Sequence, residues 1–415
     1  MTDTQTVASR CPINHGRIDL VDPRLYSEGD PHPIWQAMRV HRPVSWHPVG
    51  DDLGFWSVTK HRDAEEVLRD SSRFTSERGT IVSMLGTDDP AGGNQIAATD
   101  PPRHTAMREP LQRALSMAAV ERQREAFRSQ IRTLIEPLGD GGVFDFGTAM
   151  LAMPMAITGV LMDLPERDWP ELTRLTMICI APDDPEYEHP RGAKYNLDAA
   201  HRELFGYFQD VVRERENRLG NDLISVLLRT EFEGRRMTRA EAVSNCYSVL
   251  LGANVTTPHS PNFALAELIG TPGLDALATD PGLTKSGVEE ALRWASPVNH
   301  LLRYATRNTV LNGVSIAAGE AVVVWVGSAN RDEEVFTEPE VFDLRRVPNK
   351  HLAFGVGPHY CVGHTVARVT LRVLFEELFT QFTDFAACGK VERLRSTFVA
   401  GIKHQPITAR RRGER

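Results

Sequence analysis

The stretch Phe354-Gly355-Val356-Gly357-Pro358-His359-Tyr360-Cys361-Val362-Gly363 sets three glycines and a proline around one cysteine, directly ahead of a long apolar segment. Glycine lets a backbone approach another group closely, and Pro358 stiffens the turn. The segment from Val362 to Phe382 reads as a helix, so Cys361 stands where loop becomes helix. The unpaired N–H groups and positive dipole end at such a junction predict a lowered thiol pKa. A lone cysteine is ordinarily a small buried hydrophobe. This setting instead suits a metal ligand or a nucleophile.

The other cysteines, Cys11, Cys179, Cys246 and Cys388, are scattered and form no CxxC pair. That argues against a disulfide framework or zinc knuckle and for a reducing, cytoplasmic setting. Lys+Arg number 47 against 55 Asp+Glu, a formal net charge of −8, which speaks against a nucleic-acid binder. No run of about 18 apolar residues is present, so no membrane insertion is expected. A hydrophobic share of 41% over 415 residues is enough to bury a large core.

No linker, repeat or shift of composition divides the chain, so one continuous domain is expected, mostly α with small β-sheets. Short strands are predicted at Pro43–His47 and Phe55–Thr59 around the Gly50-Asp51-Asp52 turn, and at Leu311–Ile316 and Ala321–Val326. His61–Arg69 and Glu289–Trp294 read as short helices. Thr238 to Ile269 reads as one long helix opened by a Thr238/Glu241 capping box. Segments 76–97 and 180–194 are long, weakly periodic and rich in Gly, Pro and Asp, as surface excursions or lids are.

The pattern F-x-x-G-x-H-x-C-x-G, completed by Ala367 and Arg368, resembles the haem-binding signature of cytochrome P450. A chance match of Phe354, Gly357, His359, Cys361 and Gly363 has odds of roughly 10⁻⁵ from average residue usage. The resemblance implies the cytochrome P450 fold, haem b as cofactor and Cys361 as axial thiolate, which favours O–O cleavage. Phe354 would pack near the sulfur. Three further stretches are similar to the family in the right order. Glu290-Ala291-Leu292-Arg293 resembles its E-x-x-R, and the run Phe342–His351 picks Arg346, not Arg345, as the third member of a structural triad. Asp100-Pro101-Pro102-Arg103-His104 with Arg108 and, later, Arg303 resemble its propionate-binding positions. With His359 these give four partners: His104, Arg108, Arg303 and His359. The implied domain spans 21–408, with an N-terminal extension at 1–20 expected to be flexible and a basic tail at 409–415 expected to be a disordered end.

Leu250–Pro258 resembles the oxygen-activating segment of the family, with Thr256 as the implied proton-relay hydroxyl beside small Gly252 and Ala253. The acid that usually precedes this threonine is replaced by Val255. Pro258 and Pro261 remove N–H groups from the helix and predict a kink. A water held by the Asn254 carbonyl or side chain is the expected substitute for the acid. The family's pocket positions correspond here to Ile81, Val82, Met84 and Leu85; Met177, Ile178 and Ile180; Ala253 and Val255; Asn299, His300, Leu301 and Leu302; Phe398 and Val399. This lining is apolar with few polar points, and Asn299 and His300 are candidates to orient a polar group of the substrate.

The chain carries no G-x-G-x-x-G dinucleotide site. Electrons are therefore expected from a ferredoxin and its NAD(P)H-dependent reductase. Arg113, Arg122, Arg124, Arg368 and Arg372 are expected as the receiving basic face. The implied activity is hydroxylation or epoxidation of a hydrophobic small molecule, a natural-product intermediate by family likeness. The missing acid keeps oxidative C–C or C–N coupling and a non-catalytic haem sensor as alternatives, and a peroxide-driven enzyme is a third.

Overall fold

The computed structural model describes residues 19–50 and 53–413. The Gly50-Asp51-Asp52 turn, the extension before residue 19 and the last two residues of the tail lie wholly or partly outside them.

Helices dominate, and the elements that frame the site are few. The strand Ala321–Trp325 is AVVVW, buried at every position, as a central strand covered on both faces must be. It pairs in parallel with Gly54–Val58 and antiparallel with His300–Ala305, placing Val323 opposite both Ser57 and Leu302. Val44–Pro48 and Phe74–Thr75 complete the five strands at the two edges. Against this sheet stands the helical body. The helix His364–Gln381 buries Val369, Leu371, Leu374, Phe375 and Leu378 in one cluster with Phe127, Ile131, Met150, Val288 and Leu292. Burial on more than one face makes it a central helix, not an amphipathic surface one.

Several elements depart from the sequence reading for local reasons. Leu311–Ile316 is not one strand but a hairpin, Thr309–Leu311 against Val314–Ile316. Asn312 and Gly313 turn at φ 48° and 77°, which an Asn-Gly pair adopts readily. The long helix is two: Arg239–Asn254 and His259–Leu268. The capping box forms as expected, with Glu241 receiving the Thr238 N–H at 2.7 Å. The break falls just before Pro258. The short helix around Glu290 extends over Leu283–Ala295. The basic tail is not a loose end through its arginines, because Arg410 and Arg411 belong to the strand Pro406–Arg411, paired with Phe382–Ala387. Among the described residues no helix is long and apolar enough to cross a membrane.

Candidate functional site

The cysteine loop is fixed from within and from three sides. The Cys361 N–H donates to the Phe354 carbonyl at 2.8 Å, and the Gly355 N–H to Leu352 at 2.8 Å. Gly357, at φ 79°, faces the Leu68 carbonyl so closely that a Cβ there would lie 2.7 Å from it. Only glycine satisfies both conditions. The helix begins at His364 with Gly363 as its cap, two residues after the cysteine. Burial pushes the Cys361 thiol up, against the opposing pull of the Gly363 N–H and Arg108. The lowered pKa expected from the helix start is thus reversed in the protein alone, because desolvation outweighs the dipole.

Beneath the loop lies a buried ion-pair network. Glu290 accepts from Arg293 Nε and Nη2 at 2.8 Å each, and from Arg346 Nε at 3.2 and 3.1 Å. The Asn349 side chain and the Asp343 N–H add to the same carboxylate. The two guanidiniums spend their remaining donors on the carbonyls of Asn330, Thr337, Glu338, Pro339 and Val341. The 330–346 segment is thereby tied to the helix carrying Glu290. Asn330 Oδ1 in turn accepts the Leu352 N–H at 2.6 Å, at the entry to the cysteine loop.

A second pair escaped the sequence reading. Arg368 donates to both oxygens of Glu289 at 2.7 and 2.8 Å and to the Tyr360 hydroxyl at 3.0 Å, and stacks 4.5 Å over Phe354. Arg368 therefore braces the loop instead of forming part of a free basic face. Arg113 and Arg124 are likewise paired, with Glu109 and Glu376.

Four nitrogen-rich side chains converge near Cys361. The rings of His104 and His359 lie 4.3 Å apart. His359 approaches Ser76 Oγ at 3.2 Å and Asp100 at 3.5 Å. Arg108 reaches the Tyr360 carbonyl, and Arg303, 4% exposed, donates to its own neighbour's carbonyl, Leu302, at 2.7 Å. Burial pushes His104 down to about 3 and Arg303 to about 10. Burial opposes ionisation of Asp100, but hydrogen bonds from His359 and Thr75 win and hold it below the usual carboxylate range. His104, His359 and Arg303 thus share one neighbouring carboxylate, Asp100.

This donor set fits haem. Both ring nitrogens of His104 are buried without a partner, as they would be where a propionate completes them. A Cβ at Gly363 would meet only Cys361 Sγ, at 3.8 Å, and one at Gly252 would meet nothing within 4 Å. A flat ligand can therefore lie between the cysteine loop and the helix Arg239–Asn254.

At the helix break Thr256 Oγ1 donates to the Gly252 carbonyl at 3.0 Å. Asn254 points elsewhere: its Nδ2 approaches Met155 Sδ at 3.5 Å and its Oδ1 has no partner. Val255, where the family has an acid, packs with Met177, Ile180, Leu394 and Val399, with Phe398 against the group. Val82 and Leu85 belong to a separate cluster with Leu302 and Trp325. Ile178 faces away from both, packing with Leu204 and Phe208. Leu301 packs on the sheet side, and Ala253 is half-buried. Asn299 and His300 are buried and bonded within the protein, His300 to the Val82 N–H and the Thr397 carbonyl. Neither was foreseeable from spacing, since the partners lie far off in sequence.

The cytochrome P450 family profile matches residues 282–399, the stretch holding the Glu290 network and the cysteine loop. The chain is 34% identical to linalool 8-monooxygenase of Pseudomonas putida, over 94% of this chain and 98% of that protein. It is 32% identical to cytochrome P450 NovI of Streptomyces niveus, over 95% and 97%. Among solved structures, Mycobacterium marinum cytochrome P450 CYP268A2 in complex with pseudoionone superposes with a TM-score of 0.87 at 30% identity, covering 96% of this chain and 99% of that one. With the loop, the donor set and these relatives agreeing over nearly the whole length, the chain belongs to the bacterial cytochrome P450 family of haem b oxidoreductases.

Proposed function

We propose that this protein is a haem-thiolate monooxygenase that hydroxylates or epoxidises a hydrophobic small molecule, with electrons from a ferredoxin and its NAD(P)H-dependent reductase in the cytoplasm. The observation that carries the reading is Thr256 bonded to the Gly252 carbonyl at 3.0 Å on a broken helix, in a chain whose Cys361 loop fits haem. Haem b, when bound, supplies the iron centre that activates dioxygen. The overall balance is substrate, O₂, two electrons and two protons giving oxygenated product and water.

The chain's residues divide the remaining work. Cys361 would hold the haem iron through its sulfur, which the loop presents. His104, Arg108, Arg303 and His359 would hold the two propionates by charge-assisted hydrogen bonds. Glu290, Arg293 and Arg346 hold the segment that leads into that loop. Thr256 holds a proton at Oγ1 and passes it toward the oxygen site. Val255 makes an apolar wall there, so no side-chain carboxylate follows in the relay.

The Pseudomonas relative is named for linalool and the Mycobacterium structure holds pseudoionone. Together with the apolar lining, this makes small acyclic terpenoids the first substrates to try. Oxidative coupling is the second reading, favoured by Val255. Turnover of a terpenoid panel under ¹⁸O₂ decides: label in the product supports oxygenation, and product without label supports coupling.

A further inference from the structure

His300 opens the strand His300–Ala305, and its ring is 1% exposed. Nε2 accepts the Val82 N–H at 2.9 Å, and Nδ1 lies 3.1 Å from the Thr397 carbonyl. An amide N–H only donates and a carbonyl only accepts, so the proton sits on Nδ1 and the ring is neutral. Burial, which pushes this histidine down to about 4, agrees with that state. The ring also meets Phe398 and Trp325 edge-on, at 5.6 and 5.4 Å. Asn299 reinforces one side, its Nδ2 donating to the same Thr397 carbonyl at 3.1 Å and its N–H to Phe398 at 2.8 Å.

His300 therefore spans two apolar clusters that otherwise belong to different parts of the chain. One holds Val82 with Trp325, and the other gathers Phe398 and Val399 around Val255. We propose that His300 is a positioning residue that sets the gap between the two flanks of the substrate pocket, the 81–85 turn and the 396–399 turn. Both of its nitrogens are engaged in doing so, and it offers no hydrogen bond to substrate. The pocket then selects an apolar molecule by the width His300 imposes, not by a polar head recognised at this residue. The proposal rests on reading those turns as pocket walls.

Asparagine can replace the Nδ1 donor, and glutamine can reach as far as Nε2, so the two halves of the clamp can be removed separately. The test is amide hydrogen exchange on the haem-loaded protein, with imidazole and 4-phenylimidazole binding followed by absorption. In the wild type, Val82 exchanges slowly. In His300→Asn, exchange in 79–86 speeds up about tenfold while 395–400 is unchanged, and in His300→Gln the pattern reverses. In both variants the affinity for 4-phenylimidazole changes about tenfold, whereas imidazole, too small to touch the flanks, binds as before. An unprotected Val82 amide in the wild type, unchanged exchange in both segments, or equal acceleration of both segments in both variants overturns the proposal. The wild-type exchange rate decides even where a variant fails to fold. Failure of the wild type to bind imidazole would contradict the haem reading and leave the exchange pattern to judge the clamp.

Discussion

Glu290 and Arg346, 56 residues apart in sequence, meet in the interior at 3.1 Å, while Arg293 holds the same carboxylate at 2.8 Å. Glu290 and Arg293 are fully buried and Arg346 nearly so. Such an ensemble contributes little net stability against an apolar replacement, but removing one member strands a buried charge.

Glu290→Gln leaves two guanidiniums facing no carboxylate. The expected loss is about 3–5 kcal/mol of stability, seen as a lowered denaturation midpoint and as protein purified with less haem. Unchanged stability and haem content would mean that the network does not support the loop.

Thr256→Ala removes the hydroxyl bonded to Gly252. Product formed per NAD(P)H consumed is expected to fall roughly ten- to a hundredfold, with reduced oxygen appearing as peroxide. Full coupling in this variant would exclude Thr256 from the relay.

Val255→Asp restores the family's acid but places it among Met177, Ile180 and Val399 at 1% exposure. The unpaired carboxyl is expected to cost about 2–3 kcal/mol, measured by chemical denaturation, without raising coupling above the wild type. A stable, better-coupled variant would show that the apolar wall is not what this chain uses.

His259 is fully buried at the start of the second half-helix, with Nδ1 accepting the Ile402 N–H at 3.2 Å. Burial pushes it down from 6.5 to about 4. Above pH 6.5 it is neutral in both folded and unfolded chains and has no effect. As pH falls from there toward 4, the unfolded chain takes up the proton first, and stability drops by up to about 1.4 kcal/mol per pH unit. His259→Asn should flatten that part of the stability–pH curve by one proton's worth. An unchanged slope would show that the ring is protonated in the folded protein.

Much of this was legible where function lies in short, contiguous spacing. The run Phe342–His351 singles out Arg346 over Arg345, and it is Arg346 that reaches Glu290. The Phe354–Gly363 motif placed the cysteine loop because it is contiguous, although the close approach that Gly357 answers, to Leu68, comes from across the fold. What stayed hidden depends on contacts made across the fold. His300 bonds to residues 218 and 97 positions away, and no periodicity carries that information. The direction of the Cys361 shift turns on desolvation, a property of the whole interior. Of the expected basic face, Arg368 is drawn inward to Glu289, while Arg113 and Arg124 pair with Glu109 and Glu376, contacts that spacing alone does not show. One miss was avoidable, since Asn312-Gly313 is a hairpin signal within the segment read as a single strand.

The most direct measurement is the absorption spectrum of the haem-loaded protein, reduced under carbon monoxide, for the wild type and Cys361→Ser. The wild type is expected to show the strongly red-shifted Soret band of thiolate ligation, and the variant to lose it. A wild-type band typical of histidine ligation, or a thiolate band that survives the substitution, would contradict this.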